Sequence, residues 1–384
     1  MRFYGQLVSE RLGAARLVVI GGPSRVGKTA VCSKLSSHRL DWNRVVDRLV
    51  ILHGPAAVIR HLGLERPREA TVVIENLHGH RHWRGFLRKL TSHYGAGVRL
   101  VVSVLDAGRG NLTGSCHVRV HPWSVGECAR AMPAQSAINP PAPVSDQDWS
   151  ALLEHGGFPE PFARRDPRFT RRWSAQRWEE LIENDLPRFA SVRDPAVLQM
   201  LALRLASRSA TQLVYSDLSR ELGIAVDTVR RWIDVLEAFQ LGFRVRPWFA
   251  RVPKAVRKEP RWFLRDWSGV TAPLARARTF MACHLLKAAQ GWTDLGWGRF
   301  ELRYVRDKVK REVDFLMLRN GKPWFLVEVA HEEALERSLE HFQQCTRAQH
   351  AFRVVMDAPY SSTDCFGQAE PAVVPARTLL SQLL

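Results

Sequence analysis

Apolar and polar positions change rhythm several times along the chain. Over residues 1 to about 128, short unbroken apolar runs alternate with stretches of helical spacing. "LVVI" (17–20), "ATVVI" (70–74) and "VRLVVSV" (98–104) are the clearest runs, and "HVRVHPW" (117–123) is a fourth. A strand buried on both faces shows no polar alternation, so these runs predict a parallel sheet covered by helices. "ARAMPAQSAINPPAPVSDQD" (129–148) loses the pattern, and its Pro, Ala, Ser and Gln content reads as a loop or linker. Helical spacing returns from Trp149 to about Asn184, interrupted by "HGGFPEPF" (155–162).

The stretch "YSDLSRELGIAVDTVRRWIDVLEAFQLGFRVRPWF" (215–249) predicts a helix, a tight turn at Gly223, a second helix and a strand. Leu218 and Leu222 face a core, and Val229, Trp232, Ile233, Leu236 and Phe239 recur on one face of the second helix. Thr228, Arg230, Arg231 and Asp234 fall on the opposite face. This is the pattern of a winged helix-turn-helix, and Thr228, Arg230 and Arg231 stand where a recognition helix meets a DNA groove. The same shape also serves as a protein-binding module, so both kinds of partner stay open. From about residue 271 a helix (271–290) precedes three strands, "FELRYV", "EVDFLML" and "PWFLVEVA", then a helix (332–348) and the strand "FRVVM". A mixed α/β core with acidic residues on adjacent strands is expected there.

Composition narrows the classes. A chain of 384 residues has room for two or three domains. No run approaches the roughly 20 apolar residues of a membrane span, and "MRFYGQLVSERLG" lacks the apolar centre of an export signal, so a cytoplasmic protein without a membrane partner is expected. The six cysteines have no C-x-x-C spacing and read as reduced thiols. The histidines of "HGHRHW" (78–83) read as a polar loop after a strand rather than a metal site. A net charge of +18 favours a polyanionic partner, and the basic residues cluster in "RRDPRFTRRW" (164–173) and "RVRPWFARVPKAVRKEPRW" (244–262).

The sharpest chemical signal is "GGPSRVGKT" (21–29), which fits G-x-x-x-x-G-K-[ST] at Gly22, Gly27, Lys28 and Thr29 between a predicted strand and a predicted helix. Glycines let successive backbone N–H groups point inward at phosphate oxygens, and the helix start adds its positive end. Residues Gly22, Pro23, Ser24, Arg25, Val26, Gly27, Lys28, Thr29 and Ala30 are therefore the expected nucleotide cradle. Lys28 would reach the β- and γ-phosphates of ATP, and Thr29 would give a hydroxyl to Mg²⁺.

In order, the loop, "HPWSVGE" (121–127), "GGFPEP" (156–161), the helix-turn-helix and "EVDF…VEV" resemble a large family of prokaryotic AAA-type ATP-binding proteins. Its members carry a C-terminal domain of uncharacterised function related to restriction endonucleases. The resemblance implies four parts: a P-loop NTPase core of the AAA type over residues 1–128, a lid-like helical segment with linker over 129–194, a winged helix-turn-helix over 195–265, and an endonuclease-like α/β domain over 266–384. It also implies ATP and Mg²⁺ as ligands.

The departures from that family carry as much information. Its second signature is an apolar strand ending in Asp-Glu, the Asp for the metal and the Glu for the attacking water. This chain has Glu75-Asn76 there. Glu75 still brings charge to Mg²⁺, but the Asn76 amide takes no proton, which removes a contribution of roughly 10²–10⁴-fold. Ser103 matches the polar position that senses the γ-phosphate. Gly114-Ser115 replaces a Gly-Arg, leaving Arg109 as the nearest substitute. A metal-dependent nuclease of the implied kind needs a helix Glu, a strand Asp and a Glu-x-Lys. Asp314 and Glu328 fit the middle of that set, while Ala330 replaces the Lys and Arg278 falls at the helix Glu.

The resulting expectation is an ATP-binding switch with weak hydrolysis and an inert nuclease-like domain, acting on DNA or a protein partner and with room for a homo-oligomer. An active DNA-processing ATPase and nuclease would need a carboxylate from elsewhere, such as Glu301, Glu312 or Glu332. A scaffold with both sites vestigial is the third reading.

Overall fold

The computed structural model describes residues 3–65, 69–93, 97–106, 114–130, 134–186, 194–248, 259–330 and 337–384. The chain forms two units, Met1–His121 with Ala238–Gln240, and Pro122–Glu237 with Leu241–Leu384.

In the first unit, β1 (Leu17–Gly21), β2 (His38–Asp41), β3 (Ala70–Glu75), β4 (Val98–Ser103) and β5 (Ser115–Arg119) form a parallel sheet in the order β2-β3-β4-β1-β5. Every residue of β1 is buried, which is why its sequence is unbroken Leu-Val-Val-Ile. Leu17, Val19, Val72, Ile74, Leu100 and Val102 share a core with Phe86, Leu87 and Leu90 of the helix Trp83–His93. The sequence pattern missed β2, because at this sheet edge only Leu40 of its residues is buried. The chain leaves β1 for the far edge of the sheet, so the carboxyl end of β1 lies where a parallel sheet opens a ligand crevice.

In the second unit, β6 (Thr211–Gln212), β7 (Gly242–Pro247), β8 (Arg261–Leu264), β9 (Phe300–Arg306), β10 (Glu312–Arg319), β11 (Lys322–Ala330), β12 (His350–Val355) and β13 (Ala372–Pro375) form one sheet. Their order is β13-β12-β11-β10-β9-β7-β8-β6. The expected boundary between residues 265 and 266 therefore runs through a continuous sheet, joined by the parallel pairing of β7 with β9. The β10–β11 hairpin turns at Asn320 (φ 53°) and Gly321 (φ 79°), a pair in the left-handed conformation that suits a two-residue hairpin. The long helix Pro273–Asp294 packs across β8 to β11.

Helices Tyr215–Leu222 and Val226–Ala238 are separated by a turn whose Gly223 has φ 65°. Val229, Trp232, Ile233 and Leu236 are buried, as their spacing predicts. The stretch read as a linker is tied down: the Asn139 N–H donates to the Gln382 carbonyl (2.9 Å) and the Ala142 N–H to Ser381 Oγ (3.1 Å). Its low hydrophobicity reflects pairing by backbone groups rather than by apolar side chains.

Candidate nucleotide site

The loop after β1 is shaped by its glycines. Gly22 has φ 152°, and a Cβ there would collide with the Val120 carbonyl. Gly27 has φ 98° and caps the short helix Lys28–Cys32. Val26 is fully buried and pins the loop from beneath. Lys28 is buried at 7% exposure, and its Nζ donates to the carbonyls of Gly22 and Pro23, both at 2.7 Å. Thr29 and Ala30 are exposed, while Ser24 and Arg25 are half-buried.

The carboxyl ends of β3 and β4 bring the remaining first-unit candidates to the same end of the sheet. Glu75 is buried at 2% exposure; one carboxylate oxygen accepts from Arg39, and Oε2 is buried with no hydrogen-bond partner among the described residues. An orphaned carboxylate oxygen is costly in a protein interior and fits a place in the shell of a divalent cation. The Glu75 charge also reaches Cys32, whose thiol is pushed up to about 12 by burial and then by Glu75, against the opposing pull of Arg39 and Lys28. Glu75 and Thr29 thus offer the oxygen donors that Mg²⁺ takes.

Asn76 has φ 55°, an uncommon value that turns the chain sharply after β3. Its N–H donates to the buried Ser103 Oγ (3.0 Å), and its side-chain Nδ2 donates to Asp41 Oδ1 (2.9 Å). The turn continues through Leu77–Gly79 and carries His78 to the neighbourhood of Lys28. Burial, reinforced by the Lys28 ammonium, lowers His78 to about 3, so its imidazole is neutral and a very weak base. His80 stacks on Trp42 at 5.1 Å between centroids. Arg39 and Asp41, both on the edge strand β2, were not singled out from the sequence; the signal was "RLDW", four residues with one buried position. Arg109 lies outside the described residues.

In the second unit, Arg230 and Arg231 are exposed and Thr228 is half-buried. Arg230 is shared with Asp227 (3.2 Å) and lies over the Tyr215 ring at 5.4 Å. Around helix Pro167–Glu179, Arg164, Arg165, Arg168, Arg171 and Arg172 are exposed. Of these, Arg165 pairs with Asp148 at 2.5 Å.

Asp314 on β10 and Glu328 on β11 are buried and held by guanidinium groups. Arg261 and Arg278 each ion-pair with Asp314 Oδ1 at 3.0 Å, and Arg353 donates to Glu328 Oε2 at 2.9 Å. The second Asp314 oxygen accepts the Val329 N–H at 3.0 Å. Burial opposes the Arg261 charge, but Asp314 and Glu312 outweigh it and raise its pKa. Glu312 is also paired with Arg306 (3.3 Å), and Glu301 pairs with Arg299 (2.9 Å) and with Arg303. These carboxylates are committed to arginines; Glu332 lies outside the described residues.

The family-like motifs here are adhesive. The Trp123 N–H donates to the Gly157 carbonyl (2.6 Å), Glu127 pairs with the buried Lys287, and Lys287 Nζ also donates to the Pro122 carbonyl (3.0 Å). Together they fasten "HPWSVGE" to "GGFPEP" and to helix Pro273–Asp294. No helix among the described residues is long and apolar enough to cross a membrane.

A domain of unknown function (DUF8612) matches residues 146–277, within the second unit and apart from the phosphate loop. Over 116 residues the chain is 30% identical to the uncharacterized protein Mb2031c of Mycobacterium bovis, a match covering 30% of this chain and 26% of the relative. The uncharacterized protein Rv2008c of Mycobacterium tuberculosis matches with the same identity and coverage, 30% of this chain and 26% of the relative. The match thus spans about a quarter of these curated relatives. Among solved structures, the Walker-type ATPase paby2304 of Pyrococcus abyssi is 12% identical with a TM-score of 0.40, covering 68% of this chain and 92% of that one. The STAND protein PH0952 of Pyrococcus horikoshii, a signal transduction ATPase with a tetratricopeptide repeat sensor, is 12% identical with a TM-score of 0.24, covering 74% and 44%. The parallel strand order and the loop geometry stand independently of these matches.

Proposed function

We propose that this chain is a nucleotide-dependent switch that binds ATP and Mg²⁺ at residues Gly22 to Ala30 and hydrolyses ATP slowly. The observation that carries the reading is the pairing of a buried Lys28, curled onto its own loop carbonyls, with a buried Glu75 that keeps one oxygen unpartnered. A phosphate chain entering the loop would draw Lys28 off the carbonyls of Gly22 and Pro23, and the freed ammonium would meet the β- and γ-phosphates. Mg²⁺, when bound, supplies charge neutralisation between the phosphates; Thr29 and Glu75 are the residues that would hold it. In this reading Ser103 and Asn76, linked to each other by a hydrogen bond, face the γ-phosphate.

The domain reading comprises an AAA-type core, a lid-like segment, a winged helix-turn-helix and an endonuclease-like domain that no longer cuts. In it the helix-turn-helix contacts DNA through Thr228, Arg230 and Arg231, supported by the net charge of +18. An active nuclease is disfavoured by the arginines on Asp314 and Glu328. A titration of the protein with a fluorescent ATP analogue, with and without Mg²⁺, and a parallel assay of ADP release test the reading. Saturable binding with turnover below about one per second, the low end of ordinary enzyme rates, is expected. Absence of saturable binding would favour the scaffold; turnover at or above that rate would contradict the slow switch.

A further inference from the structure

The loss of a Glu after Glu75 leaves a chemical question: where does the proton of the attacking water go? An amide takes no proton, and His78 is held neutral and weakly basic by burial and by Lys28. Glu75 is committed to Arg39 on one oxygen, and its other oxygen suits the metal shell.

We propose that Asp41 is the general base for ATP hydrolysis, in a carboxylate–amide pair with Asn76 that links the carboxyl ends of β2 and β3. This rests on the reading that ATP binds at the loop after β1. Asp41 is the last residue of β2 and lies opposite Glu75 in the parallel register. The turn at Asn76 then aims the amide back at Asp41, across the 2.9 Å hydrogen bond.

The geometry fixes both side chains. Asp41 Oδ1 accepts from the Asn43 N–H (2.9 Å) as well as from Asn76, and the Asp41 N–H donates to the buried Asp47 carboxylate (2.9 Å). A carboxylate only accepts, so it holds the Asn76 NH₂ towards itself and turns the amide oxygen away as an acceptor for water. Among the described residues no hydrogen bond goes to Asp41 Oδ2, and Asp41 is half-buried rather than enclosed. Asp47, with Arg44 at 3.8 Å, and Glu75, opposite Asp41 in the register, are the carboxylates beside this pair, and Arg39 and Arg48 are the nearby cations on the same edge.

The step balances without an additional reactant. The water oxygen forms its bond to the γ-phosphorus as the bond from that phosphorus to the bridging oxygen breaks, and ADP leaves with the electron pair. The water proton passes to Asp41, directly or across one water, and from there to solvent at Oδ2. Asn76 contributes by holding the water through its amide oxygen.

The experiment compares wild type, Asp41→Asn and the exchange variant Asp41→Asn/Asn76→Asp, reading fluorescent-ATP affinity and single-turnover ADP formation in the full chain with Mg²⁺. Asp41→Asn should bind ATP within about two-fold of wild type and lose about 100-fold or more in rate, within the range of general-base catalysis. The exchange variant should recover at least ten-fold of that loss, because it again has one carboxylate beside one amide; recovery also shows that the single variant's defect was not misfolding. Hydrolysis at the wild-type rate in Asp41→Asn, an exchange variant as slow as the single one, or a wild type that binds ATP and forms no ADP would each overturn the proposal while leaving ATP binding intact. A wild type that does not bind ATP would remove the underlying reading as well.

Discussion

Arg278 forms an ion pair with Asp314 at 3.0 Å, on the same carboxylate oxygen that Arg261 meets at 3.0 Å. Two guanidinium groups on one oxygen repel any cation that approaches it, and with Arg353 on Glu328 they neutralise the pair of acids that a metal-dependent nuclease would need.

Purified protein should therefore leave duplex DNA intact with Mg²⁺ or Mn²⁺ present, scored by nicking of a supercoiled plasmid. The same ion pairs predict a stability difference. Arg261→Ala leaves a carboxylate at 2% exposure with a weaker counter-charge and should cost about 3–5 kcal/mol in urea unfolding. Arg278, exposed at 27%, should cost clearly less. Metal-dependent nicking that disappears in Asp314→Ala would overturn this account.

Arg39 plays a comparable part in the first unit, where it is the counter-charge of the buried Glu75. Arg39→Met should lower the thermal stability of the ligand-free protein by about 1–3 kcal/mol, less than a fully enclosed pair would lose because Arg39 is 34% exposed. Mg²⁺ with ATP should return most of that loss in a thermal-shift series. Equal stabilisation of wild type and variant by MgATP would show that Arg39 and the metal do not share Glu75.

These two sites differ in how far the sequence made them legible. The phosphate loop was readable because each of its constraints is local: Gly22 and Gly27 need positive φ, and Lys28 follows at fixed spacing. The Asp314–Glu328 cluster was half readable, since Ala330 and Arg278 depart visibly from the expected pattern, whereas Arg261 and Arg353 reach Asp314 and Glu328 only through strand pairing. Asp41 and Arg39 were hidden because β2 is an edge strand with a single buried residue, and its register with β3 is set by tertiary contacts. The boundary expected at residues 265 and 266 came from reading β7 and β8 as the end of one module, and the parallel pairing of β7 with β9 is not legible in either strand alone. Asn76 read from the sequence as a position without a base, and its contact with Asp41 was not legible because it crosses from β3 to β2.

The proposed DNA contact through helix Val226–Ala238 should be salt-sensitive, with each neutralised phosphate contributing about −0.9 to the slope of log K against log salt. Replacing Arg230 and Arg231 with Ala should weaken binding of a random duplex and flatten that slope by about 1 to 2, measured by fluorescence anisotropy. Arg231 should carry the larger share, because Arg230 is already shared with Asp227 and Tyr215. An unchanged slope would remove this helix from the contact surface.

Acid should destabilise the second unit through His284. Its Nδ1–H faces the Phe280 carbonyl (2.8 Å) and its Nε2 accepts the Val125 N–H (3.2 Å), an arrangement that only the neutral ring satisfies. Burial is the main cause that lowers it to about 3, with Lys287 adding to the effect. Between the ordinary His value near 6.5 and about 3, the unfolded chain binds a proton that the folded one refuses, so stability falls as pH falls through that window. From pH 6.5 to 5.0 this one group should remove roughly 1 to 2 kcal/mol. His284→Gln should show a correspondingly smaller loss over that interval, and a His284 ring resonance that titrates near pH 6.5 in the folded protein would contradict the assignment.

In the proposed function the loop after β1 holds ATP through Lys28. Calorimetric titration of wild type and Lys28→Ala with ATP and Mg²⁺ tests it most directly, with circular dichroism to verify that both are folded. Loss of a charge-assisted contact worth about 1.5–3 kcal/mol predicts affinity weakened by about 10- to 100-fold in a folded variant. Wild-type affinity in Lys28→Ala would contradict the account.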